Sequence, residues 1–228
     1  MDYSTIISVL VAVAVVVGSY YLFQTIQTSA TSTVLHGTIQ DGKKLFASKQ
    51  ILPVSINQRE GLTFSYTCWV KIDDFAYRLG EERVVFNKGA DDLSTSCPAL
   101  LIDPHTNTFI VKLDTFGATE RIPINNIPAK KWIHVAIAVD QDSADIYING
   151  TLHTHHSLAQ IPRQNGDTAK TGINGGFEGK VASLIYYSYF MTPNLVAASM
   201  SAAPQPDPDD AVGPLPPYFD ITWWTKST

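Results

Sequence analysis

The chain has 228 residues, a length that suits one β-sandwich-sized domain with appendages. Charged residues make up only 16% of it, and one apolar segment accounts for much of that bias. The net charge of −5, with 16 scattered Lys and Arg, argues against nucleic acid as a partner, which needs a concentrated basic surface. Two cysteines, Cys68 and Cys97, make no disulfide framework and leave open either one bridge or two free thiols.

Residues 6–23 read IISVLVAVAVVVGSYYLF and carry no charge. As a helix this run reaches roughly 27 Å, close to the hydrocarbon thickness of a bilayer. Ile6, Leu10, Val15 and Phe23 lie along the expected membrane anchor, and Tyr20 and Tyr21 fall near one end, where aromatics prefer the interface. A cleaved signal peptide is the competing reading, but only Asp2 precedes the run where a positive charge is wanted. A buried core helix is disfavoured because the run is apolar on every face. No Lys or Arg precedes the run, whereas Lys43, Lys44 and Lys49 follow it, beyond the span over which such charges are usually counted. The bias favours a single-pass protein with its C-terminal domain on the cytosolic side, where both thiols would stay reduced.

The expected organisation is an anchor over 1–23, a Thr/Ser/Gln-rich stalk over 24–50, a sandwich over 51–200 and a Pro/Asp-rich tail over 201–228. Residues 62–72, LTFSYTCWVKI, alternate with period two, with Phe64, Tyr66, Cys68, Val70 and Ile72 on one face. Short strands are expected over 83–87, 99–102 and 108–113, separated by turns at Lys88-Gly89, Asp103-Pro104 and Asn107. Residues 132–140 and 144–148 follow, then an Asn149-Gly150 hairpin turn, where a type I′ turn needs positive φ at both positions. A return strand over 151–157, a glycine-rich stretch over 172–179 and a last long strand over 181–189 complete the set. Thr192 as N-cap and Pro193 at the first helical position predict a short helix over 192–200. In the tail, YFDITWW places Tyr218, Phe219, Trp223 and Trp224 where water would be a poor solvent, so these are candidate partner-binding residues.

Regular short strands with turn signals give an all-β antiparallel sandwich. The segments FSYTCWVKI (64–72), VVFNKG (84–89), PALLID with NTFIVKL, KKWIHVAIAVDQDSADIYINGTL (130–152) and GGFEGKVASLIYYSYFMTPNLV (175–196) resemble the laminin-G-like, concanavalin-A-like jelly roll. In that family a Trp-x-His-Val strand leads into a Tyr-Ile-Asn-Gly hairpin, and a Gly-Phe-x-Gly strand runs to a helix start. The resemblance spans about residues 51–200 and implies fold rather than function, since this sandwich hosts lectins, adhesion modules, hydrolases and structural proteins. The layout of anchor, one sandwich and a Pro-rich aromatic tail also resembles membrane-associated minor capsid proteins of large DNA viruses.

Glycoside hydrolysis on this fold resembles a Glu-x-Asp-x-Glu strand with carboxylates about 5 Å apart. Glu60, Glu81, Glu82, Glu120 and Glu178 lack that spacing, and strand neighbours such as Glu81 and Glu82 would face opposite ways. His153, His155 and His156 suggest a metal, but they read better as a polar hairpin face. Calcium is the more serious metal alternative: relatives use loop aspartates, and Asp91, Asp92, Asp103 and Asp142 fall in expected loops, where ordinary turn roles compete. Asn149-Gly150-Thr151 is a formal glycosylation sequon that would be silent in the cytosol. The expectation is a non-enzymatic membrane-anchored structural or binding protein needing no cofactor. Its partners would be the lipid bilayer and proteins such as capsid subunits, in a virion linking an internal membrane to a shell. The rival is a membrane-anchored lectin-like receptor that binds glycan with calcium.

Overall fold

The structure, a computed structural model, describes residues 7, 11–22, 32–53, 55 and 62–204. Among the described residues thirteen strands follow in chain order: β1 Ser32–His36, β2 Gln40–Asp41, β3 Phe46–Ala47, β4 Phe64–Asp74, β5 Arg83–Gly89, β6 Ser96–Ile102 and β7 Phe109–Leu113. After them come β8 Glu120–Ile124, β9 Trp132–Val139, β10 Ser143–Ile148, β11 Thr151–Ser157, β12 Ala169–Thr171 and β13 Glu178–Tyr187. They form two antiparallel sheets. One has seven strands in the order β1-β13-β4-β9-β10-β11, with β2 also on β13, and the other has six in the order β3-β12-β5-β6-β7-β8. The sheets face each other in the sandwich that the alternation of residues 62–72 predicts.

The interlayer core follows from that alternation. Phe64, Tyr66, Cys68, Val70 and Ile72 of β4 point inward and meet Leu100, Ile102, Phe109, Val111 and Leu113 of the opposite sheet. Both cysteines are free and buried. The outer faces are covered as well. Ala136, Ala138 and Tyr147 of the first sheet lie under Met191 and Val196, which the chain brings back after β13. Val84, Ala99, Leu101 and Ile110 of the second sheet lie under Ile173. Burial on both faces explains why WIHVAIAV is an almost continuous apolar run rather than a strict alternation.

Asn149 and Gly150 have φ of 48° and 77°, as the hairpin turn between β10 and β11 requires. The C-terminal helix runs over Pro193–Ser199 with proline in its first turn, but Thr192 makes no side-chain cap. Its carbonyl instead accepts from Val196 N at 3.0 Å, so it enters the helix through backbone alone.

The sequence reading differs from the structure in four places. Residues 32–47, read as part of the stalk, contribute three strands: β1 pairs with β13, β2 also pairs with β13, and β3 pairs with β12. Two-residue strands carry no period, and partners over 100 residues away leave no local signal. β8 and β12 were equally invisible. Lys88-Gly89, read as a turn, closes β5 instead, because both residues stay in register with β12 or β6. Finally, residues 11–22 are helical, and among the described residues no helix is long and apolar enough to cross a membrane.

Candidate functional site

The N-terminal helical stretch exposes its apolar side chains around its whole circumference. Val11, Val13, Val15, Val16, Val17, Tyr20, Tyr21 and Leu22 are all exposed, Val16 by 68%. Val15, Tyr20 and Tyr21 are the expected anchor residues that can be placed, while Ile6, Leu10 and Phe23 lie outside the described residues. The segment that follows, over residues 32–53, continues this character. Val34, Ile39, Leu45 and Ile51 are exposed, and the exposed Lys43, Lys44 and Lys49 are interspersed among them. Lys43 donates to Glu178 at 2.8 Å and lies 5.5 Å from the Tyr77 ring centre. The hydrogen bond to Glu178 is the main reason its ammonium holds its proton more tightly than usual. A groove of about 410 Å³ runs between β1 and β3, lined by His36, Ile39, Lys44, Leu45 and Phe46.

The four calcium candidates have separate partners. Asp91 pairs with Lys170 at 2.5 Å. Asp92 accepts from Ser94 N at 2.9 Å, and Ser94 holds its carboxyl below the usual carboxylate range. Asp103 accepts from His105 N, Thr106 N and Thr106 Oγ1, each at 2.9 Å, and the backbone donation from His105 is the largest cause of its lowered pKa. Asp142 offers its backbone carbonyl to Leu158 N. Among the described residues no three His, Cys, Asp or Glu side chains gather as a metal group.

The histidines of β11 divide in the same way. His155 Nδ1 meets Asp145 at 2.5 Å, His156 Nε2 meets Glu120 at 3.2 Å across to β8, and His153 bonds Thr154. The remaining glutamates pair with cations: Glu81 with Arg78, Glu82 with Arg121 and Glu178 with Lys43. Glu60, and the tail aromatics Tyr218, Phe219, Trp223 and Trp224, lie outside the described residues.

The structure adds two buried polar positions that residue type alone did not single out. His134, on the outer face of β9, is 1% exposed and stacks edge-on against Trp69 at 5.1 Å between ring centres. Its Nε2 meets Ser199 Oγ at 3.2 Å, which ties the C-terminal helix to the sheet. Burial lowers its pKa to about 4. Lys88, at the end of β5, is 6% exposed at one end of the interlayer space, where a cavity of about 180 Å³ opens. The charge of Lys88 next to the apolar run Val84–Phe86 was the signal available, but the adjacent glycine disguised it as a turn.

The profile of the Concanavalin A-like lectin/glucanases superfamily (Laminin_G_3) matches residues 48–197. No curated protein matches the chain. Solved structures with similar folds include the receptor binding domain of botulinum neurotoxin D, at 13% identity and a TM-score of 0.57, covering 75% of this chain and 52% of that one. A botulinum neurotoxin serotype D ligand binding domain in complex with N-acetylneuraminic acid is similar at 14% identity and a TM-score of 0.52, covering 76% and 50%. The serotype G binding domain is similar at 14% identity and a TM-score of 0.51, covering 75% and 50%. The chain therefore spans about half the length of those solved domains, and at such identities the likeness is one of fold. With two antiparallel sheets, the hairpin at Asn149-Gly150 and a profile match over most of the chain, this protein belongs to the Concanavalin A-like lectin/glucanases superfamily, in its Laminin_G_3 family.

Proposed function

We propose that the protein is a membrane-anchored, non-catalytic binding module whose sandwich is presented to a protein partner at a bilayer surface. The observation that carries the reading is the helical stretch 11–22, which holds a full turn-by-turn display of valine and tyrosine against solvent. Such a surface is stable in lipid and costly in water. Lysines and exposed aliphatics on the segment that follows suit an adjoining headgroup layer. In this reading the setting is a virion, with the domain on the cytosolic side of an internal membrane and the aromatic tail turned to a shell protein. That setting rests on the sequence layout alone.

Flotation of the full chain with liposomes tests the anchor. The wild type is expected in the lipid fraction, and a Val13→Lys/Val16→Lys variant in the soluble fraction. Each charge at a helix centre adds about 2.5–3.5 kcal/mol to insertion. Equal flotation of both proteins would remove the anchor from the account.

A second reading has its own support. One fold neighbour was solved in complex with N-acetylneuraminic acid, which favours a glycan as partner of this lectin fold. A glycan array read with and without chelator separates the two: specific binding to a defined sugar supports the lectin, and a blank array leaves the protein-partner reading standing.

A further inference from the structure

The cavity at the sandwich end is built differently from the apolar core behind it. Its wall includes Leu52, Pro53, Tyr66, Lys88, Cys97 and Tyr186. Lys88 sits there almost out of water, yet no carboxylate lies within ion-pair distance of it among the described residues. Two of its three ammonium protons go to neutral oxygens of Asn165, the backbone carbonyl at 2.8 Å and Oδ1 at 3.0 Å. Asn165 is itself fixed, because its Nδ2 donates back to the Lys88 carbonyl at 2.9 Å and its Oδ1 also accepts from Asp167 N. The ammonium is thus held in place with one donor to spare. A buried cation whose direct hydrogen bonds go only to neutral oxygens favours an anion beside it.

Tyr66 supplies the second donor. The residue is 2% exposed, and its hydroxyl has no hydrogen-bond partner among the described residues. Its ring is fixed by Tyr186 at 5.1 Å and by a stacked Phe86 at 5.9 Å. Tyr186 is already committed, donating to the Pro53 carbonyl at 3.1 Å. Burial keeps the Tyr66 hydroxyl protonated and pushes the Cys97 thiol up to about 12, so both stay neutral and neither repels a negative charge.

We infer that this cavity binds a small organic monocarboxylate, its carboxylate held by the Lys88 ammonium and the Tyr66 hydroxyl, and its short chain packed on Leu52, Pro53 and the tyrosine rings. A volume of about 180 Å³ equals roughly six waters at about 30 Å³ each, room for an acid of a few carbons. Asp167 adds negative field at Lys88, which suits a singly charged ligand better than a phosphate dianion. The inference does not depend on the membrane anchor, since the cavity lies wholly within the sandwich.

Isothermal titration of the full chain in nonionic detergent tests it, with butyrate, butyramide and inorganic phosphate as probes. Butyrate is expected to bind one per chain. Butyramide, and butyrate on a Tyr66→Phe variant, are each expected to bind about tenfold or more weakly, because each lacks a charge-assisted bond. Lys88→Met should abolish binding, and Tyr66→Phe, which removes one oxygen, should melt near the wild type and keep the test sound if Lys88→Met does not fold. Any one of four results overturns the proposal: no butyrate binding, equal binding of butyrate and butyramide, preference for phosphate, or unchanged affinity in Tyr66→Phe.

Discussion

His134 should make the fold acid-sensitive in a way that one substitution removes. The imidazole is buried against Trp69 and beneath Ser199, and its pKa falls from 6.5 to about 4 through burial. The folded state therefore keeps it neutral, while the unfolded chain takes up a proton as pH drops below about 6.5. The stabilisation is complete above that value, is lost as pH falls toward about 4 and levels off beneath it. At about 1.4 kcal/mol per pKa unit the whole effect is about 3–4 kcal/mol, and most of it is gone by pH 4.5. With a urea m-value of about 2 kcal/mol/M, the midpoint should move by about 1 M between pH 7 and pH 4.5. Urea titrations of wild type and His134→Gln at both pH values give the answer. His36, also lowered by burial, and the turn carboxylates are common to both proteins, so the difference in slope belongs to His134. Parallel pH dependence in the two proteins would refute the reasoning.

Arg83 is 2% exposed and donates to the carbonyls of Phe75, Tyr77 and Asp103. Arg83→Met should cost about 3–5 kcal/mol by leaving those carbonyls unpaired, measured as a loss of urea midpoint. Gly176 has φ of 55°, and a Cβ there would lie 1.9 Å from the Gly42 carbonyl oxygen. Gly176→Ala should therefore lower the thermal midpoint by several degrees, whereas Gly166→Ala, with open space around it, should change it little. Burial raises both thiols, so neither Cys68 nor Cys97 should react with iodoacetamide at pH 8 until the protein unfolds, which mass spectrometry of the alkylated chain reads directly.

The strands visible in the sequence were those whose neighbours are regular. β4 alternates from Phe64 to Ile72, and the β10–β11 turn carries Asn-Gly, so local chemistry alone specifies them. β1, β2, β3 and β12 exist because of partners far along the chain, and their own residues hold too little pattern to reveal it. The same physics hid the sandwich-end cavity. Tyr66 reads as one more inward aromatic, and Lys88 reads as a turn beside glycine; only folding brings them together with Asn165. The aspartates show the converse. Their loop positions were legible, but Asp92 and Asp103 bond their own turns and Asp91 pairs with Lys170, while Asp142 engages a neighbour only through its backbone carbonyl.

Alkaline carbonate extraction of membranes carrying the full chain tests the central claim most directly. An anchored protein stays in the pellet, because its apolar helix remains in lipid when surface charges are stripped away. The account predicts full retention for the wild type and release of the Val13→Lys/Val16→Lys variant. Release of the wild type into the supernatant would contradict it.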